Sequence, residues 1–375
     1  MILGVPKEIK PHEYRVGMTP TAVKELTAYG HHVYIETLAG IGVGFNDQDY
    51  IDAGGLISPT AEHVFSTADM IIKVKEPQIC ERKLLREGQI LFTYLHLAPD
   101  LAQAKDLIKS KAICIAYETV TDHNGKLPLL APMSEVAGRM SIQAGAFALE
   151  KSRGGQGILL GGVPGVKAAN VVIIGGGVVG SNAAQMAIGL KANVTIIDRD
   201  INVLRQLDRQ FNGQINTVYA TNTTIEAYVI KADLVIGGVL IAGAAAPKLI
   251  TKSMIKKMKS GAAIVDVAID QGGCVETSRP TTHDNPTYII DNIVHYCVAN
   301  MPGAVARTST VALNNATLPY IVALANKGYK HALLDDKHLR DGLNIYHGDI
   351  TCKNVALSLN LPYIEAKKKL NEKNV

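Results

Sequence analysis

Two groups of residues in this chain are of chemically capable types. The first is the run VVIIGGGVVGSNAAQMAIGLKANVTIID, residues 171–198. An apolar stretch ends in Gly175-x-Gly177-x-x-Gly180, a helical pattern follows, and a second apolar stretch closes on Asp198. Each part has a physical role in holding a dinucleotide. The first glycine permits a tight turn, the second lets backbone approach the pyrophosphate, and the third lets helix and strand pack closely. The helix start then offers N–H groups and partial positive charge to the phosphates. Asp198 lies 18 residues after Gly180, close to the ~20-residue offset of an acid that hydrogen-bonds the adenosine ribose. A carboxylate there repels a 2′-phosphate and selects NAD over NADP, although Arg199 beside it is of a type that accommodates that phosphate.

The second group is dispersed. Arg15 follows the first apolar run, Lys75 the third and His96 the fourth, while Asp270 lies just beyond the run 262–267. In a parallel sheet, ligands bind beyond the carboxyl ends of strands, which is where all four would fall. Arginine clamps a carboxylate with a planar fork, and lysine acts as a point charge on a carboxylate or carbonyl oxygen. Histidine, with an ordinary pKa of about 6.5, exchanges protons near neutrality. Each also has a plainer reading: Lys75 beside Glu76 as a surface pair, Asp270 before two glycines as a turn residue.

The elements that position these residues are short. Strands are predicted at 2–5, 32–36, 70–74, 90–95 and 112–116, with helices at 21–29 and 101–109 between them. A long helix is expected over 132–151, then a glycine-rich break, then strands at 170–174, 194–197, 234–237 and 262–267. Such alternation defines an α/β chain with doubly wound parallel sheets. Beyond about residue 301 the pattern reads as helical through Ala325 and mostly helical to the end. With no sheet of its own, that tail is expected to return to the first domain, so that the central domain is an insertion.

Composition narrows the function classes. At 375 residues the chain exceeds a single core, and 47% hydrophobic against 19% charged residues excludes wholesale disorder. A net charge of +4, with lysines clustered at 367–369 and no interleaved aromatics, argues against nucleic acid as a partner. No apolar stretch reaches membrane-spanning length, and no signal peptide is visible. The five cysteines, at 80, 114, 274, 297 and 352, form no CxxC pair. That suits a reducing cytoplasm and argues against a zinc ribbon or dithiol site.

The segments EYRVGMTP, IIKVKEPQ, ILFTYLHLA, LPLLAPMSEVAGRMSIQAG, VDVAIDQGG and YCVANMPGAVARTST resemble, in order, those of bacterial alanine dehydrogenases over nearly the whole chain. Transhydrogenase and saccharopine dehydrogenase are wider relatives and remain alternatives. The resemblance implies two Rossmann-like domains, with the NAD-binding domain at 129–304 inserted into a substrate domain made of 1–128 and the returning segment 305–375. It implies that L-alanine, pyruvate and ammonia are the substrates and that the enzyme is a homohexamer. It assigns Arg15 and Lys75 to the substrate carboxylate and carbonyl, His96 to acid–base work, and Asp270 to a second catalytic role, either placing water or stabilising a cationic nitrogen. NAD contacts are implied at Ser134, Val178, Val179, Asp198, Val239 and Leu240, then at Val267, Ala268, Ile269, Asp270 and Arg279. Further along they are implied at Val298, Ala299, Asn300 and Met301. Two positions depart from the family pattern. A Glu and His four apart, proposed as magnesium ligands in relatives, fall on Ala323 and Lys327, so no metal is expected. A basic ribose contact falls on Val203.

Overall fold

Short β-branched runs flanked by turn residues form the strands of two separate sheets. The structure, a computed structural model, describes residues 1–239 and 246–372. The chain divides into two compact units: Met1–Pro132 together with the chain from Val305 onward, and Met133–Ala304. The central unit is therefore an insertion.

The first unit carries β1 (Ile2–Val5), β2 (His32–Glu36), β3 (Leu56–Ser58), β4 (Met70–Ile72), β5 (Ile90–Thr93) and β6 (Ile113–Ala116), all mutually parallel. Their order in the sheet is β6-β5-β4-β1-β2-β3. The direction of winding thus reverses between β1 and β4, the crevice where doubly wound sheets bind ligands. Strands β4, β5 and β6 are buried along their whole length. That explains their unbroken apolar runs: with helices on both faces, neither side of the strand meets water. Each Ile or Leu so buried contributes about 1.5–3 kcal/mol.

The second unit carries β7 (Asn170–Ile174), β8 (Asn193–Asp198), β9 (Asn216–Tyr219), β10 (Leu234–Gly237), β11 (Ala263–Asp266), β12 (Thr287–Ile290) and β13 (Ile293–Tyr296). The order is β12-β13-β11-β10-β7-β8-β9, parallel except for β12, so the reversal falls between β7 and β10. The helix Val178–Gly189 follows β7 directly, and the helix Ala131–Ala148 belongs to this unit from Met133 onward.

The helical tail needs correction. The helix Ala306–Lys327 does return to the first unit, but the chain then forms β14 (Leu343–Tyr346) and β15 (Asp349–Ile350). Strand β14 pairs antiparallel with β6, and β15 pairs antiparallel with β14, extending the sheet to eight strands. The cause is an edge: β6 would otherwise leave a row of unpaired backbone groups. Among the described residues, no helix is long and apolar enough to cross a membrane.

Candidate active site

Arg15, Lys75 and His96 stand beyond the carboxyl ends of the adjacent strands β1, β4 and β5. Each is tied to a glutamate. Arg15, 2% exposed, donates through Nε to Glu13 Oε1 at 2.6 Å and through Nη2 to Glu13 Oε2 at 2.5 Å. Burial opposes ionisation on both sides of this pair. The mutual hydrogen bonds and charge outweigh it, holding the Glu13 carboxyl below its usual range and the Arg15 guanidinium above its own. The loop carrying them is fastened by the helix Ala306–Lys327. Thr310 Oγ1 accepts the Val16 N–H, and Asn314 Oδ1 accepts both the N–H and the hydroxyl of Thr19.

Lys75 is half-buried. Glu8 Oε1 accepts the N–H groups of Val74 at 2.6 Å and Lys75 at 3.2 Å, and Thr93 donates its hydroxyl to the Lys75 carbonyl. Behind it, the fully buried Lys73 ammonium bridges Glu8 at 3.0 Å and Glu81 at 2.7 Å. Burial pushes the Glu8 carboxyl up despite Lys73, while for Lys73 the two carboxylates outweigh burial and raise it. A network so buried is costly to break, about 3–5 kcal/mol when one partner is removed.

His96 has φ +48°, a left-handed conformation that strains an L-residue by roughly 1–2 kcal/mol. Glu118 holds it there, accepting the N–H groups of Leu95 at 3.2 Å and His96 at 2.6 Å, with Nδ1 of the ring 3.9 Å from the same carboxylate. The ring stacks on Tyr94, centroids 5.7 Å apart and planes 5° apart. Tyr94 is anchored by donating its hydroxyl to the Leu129 carbonyl at 2.6 Å, and burial pushes that hydroxyl up, so it stays a neutral donor. The result is a half-exposed imidazole whose mount is fixed by Glu118 and Tyr94.

In the second unit the glycine fingerprint has the form a pyrophosphate requires. A Cβ on Gly180 would meet the Gly175 carbonyl oxygen at 1.9 Å, so only glycine lets the helix Val178–Gly189 start so close to β7. Among the described residues, a Cβ on Gly177 would meet nothing within 4 Å, and no side chain caps this helix. Uncapped first amides and room at Gly177 are what a phosphate site at a helix start needs. Asp198 Oδ2 accepts the Gly176 N–H at 2.6 Å and Oδ1 accepts the Asp200 N–H at 2.8 Å. The carboxylate is thereby locked against the glycine loop. Val203 lies by Gly176, where a Cβ would meet its Cγ1 at 2.8 Å.

Asp270 is exposed on the short helical turn Val267–Gln271 beyond β11, and its Oδ1 accepts the Asn300 N–H at 3.2 Å. Ala268 and Ile269 are buried, and Val298 and Met301 turn into the core of this unit, while Val267 and Ala299 are half-buried. Val239 follows β10, beside the fingerprint, and a Cβ on Gly175 would meet its Cγ2 at 3.2 Å. Ser134 sits half-buried on the helix Ala131–Ala148, which packs against the Val179 carbonyl through Gly138. Val178 is exposed and Val179 buried at the start of the fingerprint helix. Arg279 lies 4.2 Å over the Tyr288 ring. Leu240 lies outside the described residues. Sequence reading passed over Glu8, Glu13 and Glu118; the short spacing of Glu13 and Arg15 was the one visible signal among them.

Such a chain is a two-unit, doubly wound α/β protein with a dinucleotide fingerprint in one unit and arginine, lysine and histidine at adjacent strand ends in the other. Residues 4–137 match the alanine dehydrogenase/PNT N-terminal domain, and residues 141–353 match the corresponding C-terminal domain. The chain belongs to the alanine dehydrogenase/PNT family. It is 57% identical to alanine dehydrogenase of Halomonas elongata, over 98% of this chain and 99% of that one. With alanine dehydrogenase of Methanococcus maripaludis the identity is 55%, over 99% and 100%. A solved L-alanine dehydrogenase superposes with a TM-score of 0.93 at 50% identity, covering 96% of this chain and 99% of its own. A transhydrogenase from Sinorhizobium meliloti, at 22% identity and a TM-score of 0.80 over 94% and 99%, shares the fold.

Proposed function

We propose that the protein catalyses the NAD-dependent oxidative deamination of L-alanine to pyruvate and ammonia, and the reverse reductive amination. The observation that carries this reading is the trio Arg15, Lys75 and His96 at three adjacent strand ends, each held by a buried or half-buried glutamate. The Arg15 guanidinium and the Lys75 ammonium suit a small α-amino or α-keto acid, whose carboxylate and carbonyl oxygen they would orient. Identity of 57% and 55% over nearly the full length of enzymes named alanine dehydrogenase supports alanine as the substrate.

NAD would be held by the fingerprint glycines, by Asp198 at the adenosine ribose, and by Ser134, Val239, residues 267–270, Arg279 and the backbone of residues 298–301. When bound it supplies the two-electron acceptor for the hydrogen on the substrate's α-carbon. The protein's residues do the rest. Arg15 and Lys75 hold the carboxylate and polarise the developing carbonyl. His96 takes the proton released from the amine, and later moves a proton as water adds to the iminium and the carbinolamine collapses to pyruvate and ammonia. The exposed Asp270 carboxylate provides negative charge for the cationic nitrogen. The locked carboxylate of Asp198 supports NAD over NADP, and its bonds to Gly176 and Asp200 resist rotation away from a 2′-phosphate. The family resemblance supports a homohexamer, and free thiols at all five cysteines suit a cytoplasmic enzyme.

Mixing protein, NAD and single amino acids while following reduced nicotinamide tests the reading. Alanine-dependent NAD reduction is expected, releasing one pyruvate and one ammonia per nicotinamide reduced. NAD binding without turnover of any amino acid would favour a transhydrogenase-like subunit.

A further inference from the structure

The segment 272–275, immediately after the Asp270 turn, is gripped from two sides. On one side stands Asp266, fully buried at the end of β11. Its Oδ1 accepts the N–H groups of Ala268 at 3.2 Å and Cys274 at 3.3 Å. Its Oδ2 accepts the Val275 N–H at 3.2 Å and the Ser278 hydroxyl at 2.6 Å. On the other side, the Lys248 ammonium donates to the carbonyl oxygens of Gly272, Gly273 and Val275 at 2.5, 2.9 and 3.2 Å. The peptide group joining Gly273 to Cys274 therefore lies between an ammonium and a carboxylate, its C=O toward Lys248 and its N–H toward Asp266. Glycine is required for it. Gly272 and Gly273 have φ +89° and +78°, and a Cβ on Gly273 would meet Asp266 Oδ2 at 2.6 Å. Backbone bonds from Ala246 to the Gln271 carbonyl and from Leu249 to the Cys274 carbonyl tie the Lys248 stretch to the same loop.

Both groups are unusual where they stand. Lys248 is an exposed residue, and ordering its long side chain costs rotamer entropy that the three carbonyl contacts must offset. A buried carboxylate is retained only when hydrogen bonds satisfy it, and those of Asp266 go to the turn that carries Asp270 and to the loop behind it. We infer that Asp266 and Lys248 are positioning residues. Acting as one clamp, they set the Val267–Gln271 turn, and with it the Asp270 carboxylate and the backbone offered to NAD. The inference rests on the roles proposed above for Asp270 and residues 267–269.

The test uses the full-length enzyme with Lys248→Met, Lys248→Arg, Asp266→Asn and the double variant Lys248→Met/Asp266→Asn. Misplacing a reacting group by about 1 Å can cost about 100-fold, so Lys248→Met is expected to lower kcat by about 10-fold or more and to weaken NAD affinity. KM for alanine should stay within about twofold, because Arg15 and Lys75 belong to the other unit. Lys248→Arg, which keeps the charge, should restore most of kcat. The double variant should lose less than the product of the single losses, since both residues act on one loop. A Lys248→Met enzyme with a lower melting temperature but wild-type kcat and NAD affinity would show a purely structural tie and overturn the inference. So would full multiplicativity in the double variant. NADH binding, read by fluorescence without turnover, separates the two claims. A wild type that binds NADH but leaves alanine untouched refutes the function, whereas unchanged variants of an active wild type refute the clamp.

Discussion

Replacing His96 by alanine separates acid–base chemistry from architecture, because the structure bounds what else the change can do. The side chain is 48% exposed, so little burial is lost. Its packing contribution is the stack on Tyr94, a contact worth about 0.5–1.5 kcal/mol when fully formed and less at a half-exposed site. The left-handed backbone strain is common to histidine and alanine, and the N–H bond to Glu118 is made by the main chain, so neither changes. A loss of about 1 kcal/mol lowers the melting temperature by roughly 2–4 °C or less in a chain of this size. Turnover should fall by about 10²–10⁴-fold, the usual contribution of a positioned acid–base group. NAD affinity should hold within about twofold, since the fingerprint belongs to the other unit. Three measurements on one preparation suffice: alanine-dependent NAD reduction, NADH binding by fluorescence, and thermal unfolding. A folded His96→Ala enzyme oxidising alanine at the wild-type rate would refute the mechanism. So would a collapse in melting temperature with normal turnover per folded molecule.

Glu13→Gln removes one partner of a buried ion pair and should destabilise the protein by about 3–5 kcal/mol in denaturant titrations, while raising KM for alanine. Because the Glu13 carboxyl is held below its ordinary 4.5, its stabilising share is complete above that value and is lost as pH falls through the folded one. The acid limb of a stability–pH curve should therefore be shallower in Glu13→Gln than in wild type. Asp198→Ala should weaken NAD use and narrow the preference over NADP, measured as the ratio of kcat/KM for the two cofactors; a wild type that prefers NADP would contradict the role given to this acid. Gly180→Ala places a Cβ 1.9 Å from the Gly175 carbonyl oxygen and should abolish NADH binding although it removes no polar contact, as calorimetry would show.

What the sequence alone determined lies close together along the chain. The strand–turn–helix–strand run from Val171 to Asp198 is a contiguous stretch, and its glycine spacing and apolar periods predicted β7, the helix Val178–Gly189 and β8 with small shifts at the ends. The fully buried strands β4, β5 and β6 were equally legible, because burial on both faces leaves an unbroken apolar run. Strands β3 and β9 escaped notice because they are short and partly exposed at the sheet's edge, where no period stands out. Strands β14 and β15 read as part of a helical tail; their conformation is decided by the edge of β6, more than 200 residues earlier in the chain. The placement of Arg15, Lys75 and His96 at strand ends was legible, but their glutamates were less so. Glu8 meets Val74 across 66 residues and Glu118 meets His96 across 22, and the Asp266–Lys248 clamp depends on where two loops pass each other. Local periodicity reports which way a residue faces within its own element. Which carboxylate fixes which catalytic candidate is set by the path of the folded chain, because a hydrogen bond depends on separation in space and not along the sequence.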